Sequence, residues 1–320
     1  MSVVIITPDD IERVVADNPA APSNALDYFK RRPLKNSAYI AVRDILQEVG
    51  NIPVVRRGDT GIRPVSESGV NLIEPMPIEI DDTFSAVELD EYERSSQAGK
   101  QQLVQEKLQQ HLTLIRATTK ALCVQAHHGK IDYMMKAGAG LVRYQVTYGT
   151  GDVEVIDNPI APEDLTVGDL ISAVSGGIKA MAASQVGGPV DIVVSADLFT
   201  VIANLVAAQK AFNSTVSPGY VDLAGFRFKL DNDSYVDQAS GGTKTTKTLC
   251  DPGQLMIRAE NAGQSLPYCK IDDVVLREAV PFYSFTKDRV DQRGTDVFSK
   301  SKPFPLINVR GIKIVQFDVS

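Results

Sequence analysis

The sequence predicts an α+β fold in which one very long helix is flanked by β-structure and followed by an α/β region. Residues 98–128 place apolar side chains mostly three or four positions apart, which is one face of an amphipathic helix. Residues 142–148 alternate β-branched or aromatic side chains with polar ones, which is the period of a strand. Residues 163–275 alternate helix-like and strand-like segments, as an α/β region does.

The composition is typical of a folded protein in a reducing compartment. Of the 320 residues 43% are hydrophobic, and no apolar run approaches the ~20 residues that span a bilayer. The N-terminal residues lack the pattern of a signal peptide. Cys123, Cys250 and Cys269 are odd in number and show no CxxC spacing, which indicates free thiols. The net charge of −7 argues against a chain built to grip nucleic acid.

Residues 1–50 are predicted to form a helical arm. Thr7 followed by Pro8 predicts an N-cap and the first turn of a helix. A second helix is predicted after Ser37, ending at Gly50. A basic cluster between them is interpreted as a solvated face or a subunit contact, with a contact to nucleic acid or a scaffold as the alternative. The cluster contains Lys30, Arg31, Arg32 and Lys35.

Residues 51–92 lack the helical pattern of the residues before them and are predicted to form an extended excursion. Strand-like pieces at 54–56, 71–74 and 78–81 surround a middle rich in Gly, Ser and Pro. The tip is poor in large apolar residues, so the excursion cannot bury a core of its own. Structureless loops beyond about 15 residues are uncommon in compact domains. The excursion is therefore predicted to be a flexible lid or to complete its core against another chain.

The long helix would measure roughly 45 Å at 1.5 Å per residue, much longer than an average helix. Gly129 is a predicted C-cap at its end. A helix of this length in a compact domain usually serves as the element on which other layers pack. The strand at 142–148 is predicted to form a hairpin with 153–155.

The α/β region begins with a helix that Thr166 is predicted to cap. The β-branched run 190–194 predicts a buried strand, after which Ser195 is predicted to cap a second helix. The last run, 303–317, ends in a strand with apolar residues on both faces, which predicts a position inside a sheet beside a helix. Further strands are predicted at 226–230, 248–250 and 254–257, with a surface loop at 238–244.

One glycine-rich run and two pairs of carboxylates were considered as candidate functional sites, and none of them has the arrangement that its chemistry requires. The run 149–151 (Gly-Thr-Gly) follows a strand but opens a second strand, whereas a dinucleotide site needs a helix N-terminus. The carboxylates of Asp81 and Asp82 are adjacent, as are those of Asp272 and Asp273. Adjacent strand residues face opposite sides of a sheet, so neither pair suits acid–base catalysis.

The histidines and Cys123 have similarly plain interpretations. His111 lies about four turns from His127 and His128, a spacing that does not suit zinc. His127 and His128 are predicted to be favourable cations at the helix C-terminus. Cys123 sits mid-helix and is predicted to be a small buried hydrophobe. The sequence thus predicts no catalytic residue, no cofactor and no metal, and a protein that is not an enzyme.

Four stretches carry a resemblance that extends over nearly the whole chain, apart from the first 25 or so residues. They are VVRRGDTGIRPVSESG, IEPMPIEIDDTFSAVEL, IDYMMKAGAG and SKPFPLINVRGIKIVQFDV. In order and spacing they resemble the lambda-type, or E-type, family of tailed-phage major capsid proteins, which have the HK97-type fold.

The resemblance implies a division of the chain. Residues 1–50 would be the N-terminal arm. Residues 51–92 would be the E-loop, which lies over a neighbouring subunit. Residues 93–162 would be the P domain, with the spine helix and hairpin. Residues 163–275 would be the A domain, around the five- and six-fold axes, and 276–320 would be strands returning to the P domain.

The function implied is that of a major capsid protein that self-assembles into hexamers and pentamers of an icosahedral shell around double-stranded DNA. Its partners would be further copies, a scaffold protein, a portal, packaged DNA without sequence specificity and, as a further candidate, a decoration protein; no membrane is implied. It would assemble in the host bacterial cytoplasm and reside in the virion. The alternatives are an encapsulin-type nanocompartment shell, or a soluble α/β enzyme with residues 51–92 as a lid.

Charged residues of the excursion are predicted to contact the neighbouring subunit, the alternative being that they are merely solvated. Head-to-tail contacts of this kind close into rings. The arm of about 50 residues is too short for the cleaved scaffolding segment of some relatives, so a separate scaffold is expected. The predicted contact residues are Arg56, Arg57, Arg63, Glu67 and Glu74.

Overall fold

The computed structural model describes most of the chain. It describes residues 6–41, 72–138, 140–149, 151–208, 214–238, 243–271, 278–288 and 295–318. Its α-helices are α1 Pro8–Asp17, α2 Asn24–Asp27, α3 Ala86–Arg94, α4 Gln97–His127, α5 Val167–Ala183 and α6 Ala196–Ala208. Short 3₁₀ turns occupy Pro162–Asp164 and Val309–Gly311.

The strands form one large sheet and several small ones. They are β1 Leu34–Lys35, β2 Ile40–Ala41, β3 Leu72–Ile73, β4 Ile78–Thr83, β5 Lys130–Ala137, β6 Gly140–Thr147, β7 Glu154–Asn158, β8 Val190–Val194, β9 Thr215–Ser217, β10 Tyr220–Leu223, β11 Phe226–Leu230, β12 Ser234–Gln238, β13 Lys244–Thr248, β14 Gln254–Ala259, β15 Tyr268–Cys269, β16 Tyr283–Asp288, β17 Thr295–Ser301 and β18 Ile312–Phe317.

Helix α4 is the predicted long helix, and its two halves lie in different cores. It has 31 residues and is capped at its N-terminus by Ser96, whose side chain accepts a hydrogen bond from the backbone N–H of Gly99. The first half packs with α1 and the sheet of β4, β16 and β17; the second half packs with α2 and β5. The apolar stripe on one helix therefore joins two layers of the molecule. Its buried apolar residues include Val104, Leu108, Leu112, Ile115, Leu122, Cys123, Val124 and Ala126.

The large sheet has the strand order β7-β18-β14-β8-β11-β10-β9 and mixes parallel with antiparallel pairs. Helix α5 packs on β18 and β14, and α6 packs on β10 and β11. Strand β18 lies inside the sheet, between β7 and β14, as its apolar pattern predicts. The sheet combines strands from three of the predicted segments, 93–162, 163–275 and 276–320.

The hairpin after α4 is built differently from the prediction. Strand β6 pairs with β5, in the register Ile131↔Val146 and Tyr133↔Tyr144, and not with residues 153–155. Glu154 and Val155 instead belong to β7, which pairs in parallel with β18. Both neighbours of β6 have strand-forming sequences, so local pattern could not decide between them. In the structure β7 pairs with β18 in the large sheet, which leaves β5 as the partner of β6.

Two further predictions differ from the structure. Residues after Ser37 form strand β2, paired with β3, and not the start of a helix; the remaining predicted helix, 42–50, lies outside the described residues. Ser195 does not cap α6 with its side chain, because its buried hydroxyl has no hydrogen-bond partner. Thr166 does cap α5, in a box with Asp169. In the described part of the chain, no helix is long and apolar enough to cross a membrane.

Candidate subunit-assembly site

The two ends of segment 42–71 are held side by side. Strands β2 and β3 are antiparallel partners, with Ala41 opposite Leu72 and Ile40 opposite Ile73. Cα atoms of such partners lie about 5 Å apart. Ile40 is fully buried, which fixes this pair to the body of the molecule. The residues on either side of this segment, Ala41 and Leu72, are therefore held at one point of the body.

The returning chain is fastened directly after β3. Glu74 Oε1 lies 3.5 Å from Nζ of Lys302, whose side chain is buried. The hydroxyl of Tyr144 on β6 donates to the backbone carbonyl of Glu74, also at 3.5 Å. The chain then enters β4, which pairs along its length with β17. Glu74 thus contacts two other elements of its own subunit.

Lys107 of α4 fastens β4 and α3 to the long helix. Its ammonium lies 2.9 Å from the carboxylate of Asp82 and 3.3 Å from that of Glu88. Burial opposes ionisation of Asp82, but hydrogen bonds from Lys107, the Thr83 backbone and His111 outweigh it and lower the pKa of this carboxyl. The ammonium also lies 5.4 Å from the ring centroid of Phe84. The Lys107 ammonium, on a side chain that is 11% exposed, thus holds β4 and α3 against α4.

His111 continues this polar contact into the three-stranded sheet. Its Nδ1 is 2.7 Å from the hydroxyl of Ser299 on β17, and its Nε2 is 3.3 Å from Asp82 Oδ2. Ser299 in turn hydrogen-bonds Ser284 of β16 at 3.0 Å. Burial lowers the pKa of His111. The bonds cross all three strands, so the sheet presents one face to α4.

A second buried network lies at the other end of α4, around Arg258 of β14. This side chain is 0% exposed. Its Nη2 binds Asp191 of β8, and its Nη1 donates to the carbonyl of Asn24 and to Nε2 of His127, both at 3.0 Å. The guanidinium also lies 4.7 Å from the ring centroid of Tyr28. Arg258 therefore joins the N-terminal segment, α4 and the large sheet.

The electrostatics of this network correct one prediction. Burial, reinforced by Arg258, lowers the pKa of His127 well below its usual range, and burial likewise lowers that of His128. The prediction that they act as cations at the helix end was therefore wrong. Cys123 is buried as predicted, and burial raises the pKa of its thiol. The described residues contain no group of three or more His, Cys, Asp or Glu side chains that could hold a metal.

Comparison with known proteins identifies the family of this chain. A family model described as phage major capsid protein E matches residues 10–313. The chain belongs to this family of major capsid proteins. Among curated proteins, none matches the sequence.

Solved structures show the fold of this capsid protein. A crystal structure described as a capsid protein of a prophage in E. coli CFT073 superposes with a TM-score of 0.62 at 13% identity, covering 99% of this chain and 100% of the other. A phage-related protein from Bordetella bronchiseptica RB50 gives a TM-score of 0.51 at 9% identity, with 98% of each chain covered. The fold is the HK97-type fold that the sequence predicts.

Of the five residues predicted for subunit contacts in the capsid protein, one is described. Glu74 lies at the base of the excursion and faces Lys302 of its own subunit, with its side chain 46% exposed. The other four, Arg56, Arg57, Arg63 and Glu67, lie outside the described residues.

Sequence reasoning missed the residues that fasten the excursion and the helix. Lys107 and Asp82 are 25 positions apart, and no local pattern joins them. Arg258 did carry a signal, because it is the one charged residue in the strand Gln254–Ala259. A charge in an otherwise apolar strand indicates a buried ion pair, since an unpaired buried charge is costly.

Proposed function

We propose that this capsid protein assembles into hexamers and pentamers of an icosahedral shell that encloses double-stranded DNA. Family membership supports the role as a shell protein. The observation that carries the assembly mode is the pairing of β2 with β3, which brings the two ends of segment 42–71 together. A segment with adjacent ends can reach outward without disturbing the fold it leaves.

The roles that we propose for the segments of the chain are those that the sequence resemblance implies. Residues 51–92 act as the E-loop over a neighbouring subunit, 93–162 as the P domain, and 163–275 as the A domain around the symmetry axes. Residues 1–50 form the arm, and 276–320 return to the P domain. Further copies, a scaffold protein, a portal, a decoration protein and packaged DNA are the proposed partners. Assembly takes place in the host bacterial cytoplasm, and the product is part of the virion.

The proposed contact residues are charged, which suits head-to-tail recognition. Arg side chains form planar, directed contacts with carboxylates and are common at interfaces. Glu74 is half-exposed although it lies near Lys302, so one of its oxygens remains available to a neighbouring subunit. The full set comprises Arg56, Arg57, Arg63, Glu67 and Glu74.

Assembly is tested by gel filtration and negative-stain microscopy of the full chain, alone and with a scaffold protein supplied. Rings, tubes or shells are expected. A chain that stays monomeric with the scaffold present would overturn the proposal.

The role of the excursion is tested by replacing residues 57–70 with a Gly/Ser segment of equal length. This range stops before Leu72, so the β2–β3 pair is preserved. Assembly should be lost while the melting temperature of the monomer stays unchanged. A variant that unfolds, or one that assembles as well as the parent chain, would contradict the assignment. Glu163→Arg, a charge change at an exposed site on the 3₁₀ turn Pro162–Asp164, serves as the control.

A further inference from the structure

Strand β7 is an edge strand of the large sheet, and one of its sides is open. It pairs with β18 on one side, and no strand of the described part of the chain pairs with it on the other. Val155 at this edge is 50% exposed, and its neighbour Glu154 and nearby Asp157 are exposed too. The backbone N–H and C=O groups of such an edge can pair with a strand of another chain.

The hairpin of β12 and β13 has a second open edge. Among the residues that the structure describes, β13 pairs with β12 alone, and all five of its residues are exposed. Strand β12 contacts helix α4, so β13 is the outer strand of the hairpin. Val236 of β12 is 55% exposed. A two-stranded ribbon gains stability from a third strand, so this edge is suited to pairing.

The charges on the two open edges are opposite in sign and equal in spacing. Strand β7 carries Glu154 and Asp157, and β13 carries Lys244 and Lys247, again three positions apart. In one antiparallel register, Lys244 lies opposite Asp157. The same register places Lys247 opposite Glu154, whose side chain is 56% exposed although it binds Lys313. Opposite charges directly across two strands stabilise their pairing.

The charges that would meet are available for this contact. Lys244, Lys247 and Asp157 form no ion pair with any residue that the structure describes. All three side chains are exposed, so a neighbouring copy can reach them. The two edges do not pair with each other within one chain.

The same register aligns the exposed valines. It places Val155 opposite Thr246, and Thr246 is already the register partner of Val236. The three β-branched side chains would form one row across β7, β13 and β12, and such rows stabilise sheets. A parallel pairing would match the charges equally well, but it would place Val155 opposite Thr245 and away from Val236. The row of valines therefore favours the antiparallel register.

We propose that β13 of one copy of this chain adds to the open edge of β7 in a neighbouring copy, antiparallel and with Thr246 opposite Val155. This inference rests on the proposed assembly and names a contact that joins the copies. The large sheet of one copy then continues into the hairpin of the next. The two edges are different surfaces, so the contact is heterologous, and contacts of this kind can close into rings.

Disulfide trapping tests the register. Opposite partners in antiparallel strands have Cα atoms about 4.5–5.5 Å apart, a separation that suits a disulfide. The assembled chain carrying both Val155→Cys and Thr246→Cys should form covalent chains of several copies on mild oxidation, seen on a non-reducing denaturing gel. An assembled mixture of the two single variants should form dimers and nothing larger. The native thiols are buried and should not compete.

A shifted cysteine pair is the matched control. Val155→Cys combined with Thr245→Cys places the two thiols on opposite faces of the proposed sheet, because successive strand residues alternate between faces. Thr245 is exposed, like Thr246. This pair should therefore remain monomeric on the same gel.

A charge swap tests the contact without cysteines. Lys244→Asp and Asp157→Lys each place like charges opposite each other, so each should raise the concentration needed for assembly about fivefold. The double variant restores an opposite pair at every contact and should assemble like the parent chain. Glu163→Lys, a charge change at an exposed site on the 3₁₀ turn Pro162–Asp164, should also assemble like the parent chain. The melting temperatures of all four variants should be unchanged.

Each contrary result is informative. If rings or shells form but the Val155–Thr246 pair gives no disulfide between copies, strand addition is wrong while the proposed assembly stands. Cross-linking through Thr245 instead would overturn the antiparallel register. If the double charge variant assembles no better than the single ones, these charges do not meet. If the parent chain never assembles, the proposed function fails and this inference fails with it.

Discussion

Arg258 donates a hydrogen bond from Nη1 to Nε2 of His127 across 3.0 Å, while Nδ1 of the same imidazole contacts the carbonyl oxygen of Cys123 at 2.7 Å. An imidazole can accept at Nε2 and donate at Nδ1 only when it is neutral. A proton on Nε2 would point at the guanidinium in a site that is fully buried. This contact therefore selects the neutral form of His127 and makes the network sensitive to acid.

Stability should fall with pH below the ordinary pKa of histidine. Burial and Arg258 lower the pKa of His127 below its usual 6.5. The unfolded chain takes up a proton near that value and the folded chain does not, so stability is full above pH 6.5 and falls as the pH drops toward the lower folded pKa. His127→Gln keeps an acceptor and does not titrate. Melting temperatures at pH 8 and pH 5 should therefore differ less for this variant; equal losses would refute the interpretation.

Removing the guanidinium should be strongly destabilising. Arg258→Met leaves Asp191, whose side chain is 11% exposed, with Lys229 at 2.7 Å as its remaining charged partner among the residues that the structure describes. Breaking a buried ion pair from one side costs about 3–5 kcal/mol. Lys229→Met is the matched control, because this side chain is 39% exposed and its loss should cost about 1 kcal/mol or less. Urea unfolding measures both, and similar values would contradict the central role of Arg258.

Two adjacent glycines of α5 should respond differently to substitution by alanine. A Cβ at Gly177 would lie 2.4 Å from Cδ1 of Ile257, which is fully buried, whereas a Cβ at Gly176 meets nothing within 4 Å. Gly176→Ala should stabilise the helix by about 0.5–1 kcal/mol. Gly177→Ala has the same helix preference but crowds the core, so it should fall about 1–3 kcal/mol below Gly176→Ala. Denaturation midpoints that coincide would show that α5 does not press on the sheet here.

The thiols should be inert in the folded chain. Cys123, Cys250 and Cys269 are all free and buried, and burial raises the pKa of each thiol. The thiolate is the reactive form, so a thiol reagent at pH 8 should label none of them before unfolding. In urea all three should react. Rapid labelling without denaturant would mean that the cores open locally.

The elements that the sequence predicted well are those with a long, regular pattern. The apolar stripe of α4 and the Thr166 capping box of α5 are local, so each is visible within a few turns of chain. The resemblance of four stretches to E-type capsid proteins was confirmed over residues 10–313. Short strands were less certain, as β6 demonstrated, because two neighbouring segments could pair with it and only the large sheet decided between them.

The sequence by itself determined the long helix, the strand-rich flanks and the family. The tertiary structure decided which distant groups meet: β2 with β3, Lys107 with Asp82, Arg258 with His127, and Phe285 with Phe298. The reason is physical. Periodicity records which face of an element is buried, whereas the partner of a charge or a ring depends on packing between elements far apart in the chain.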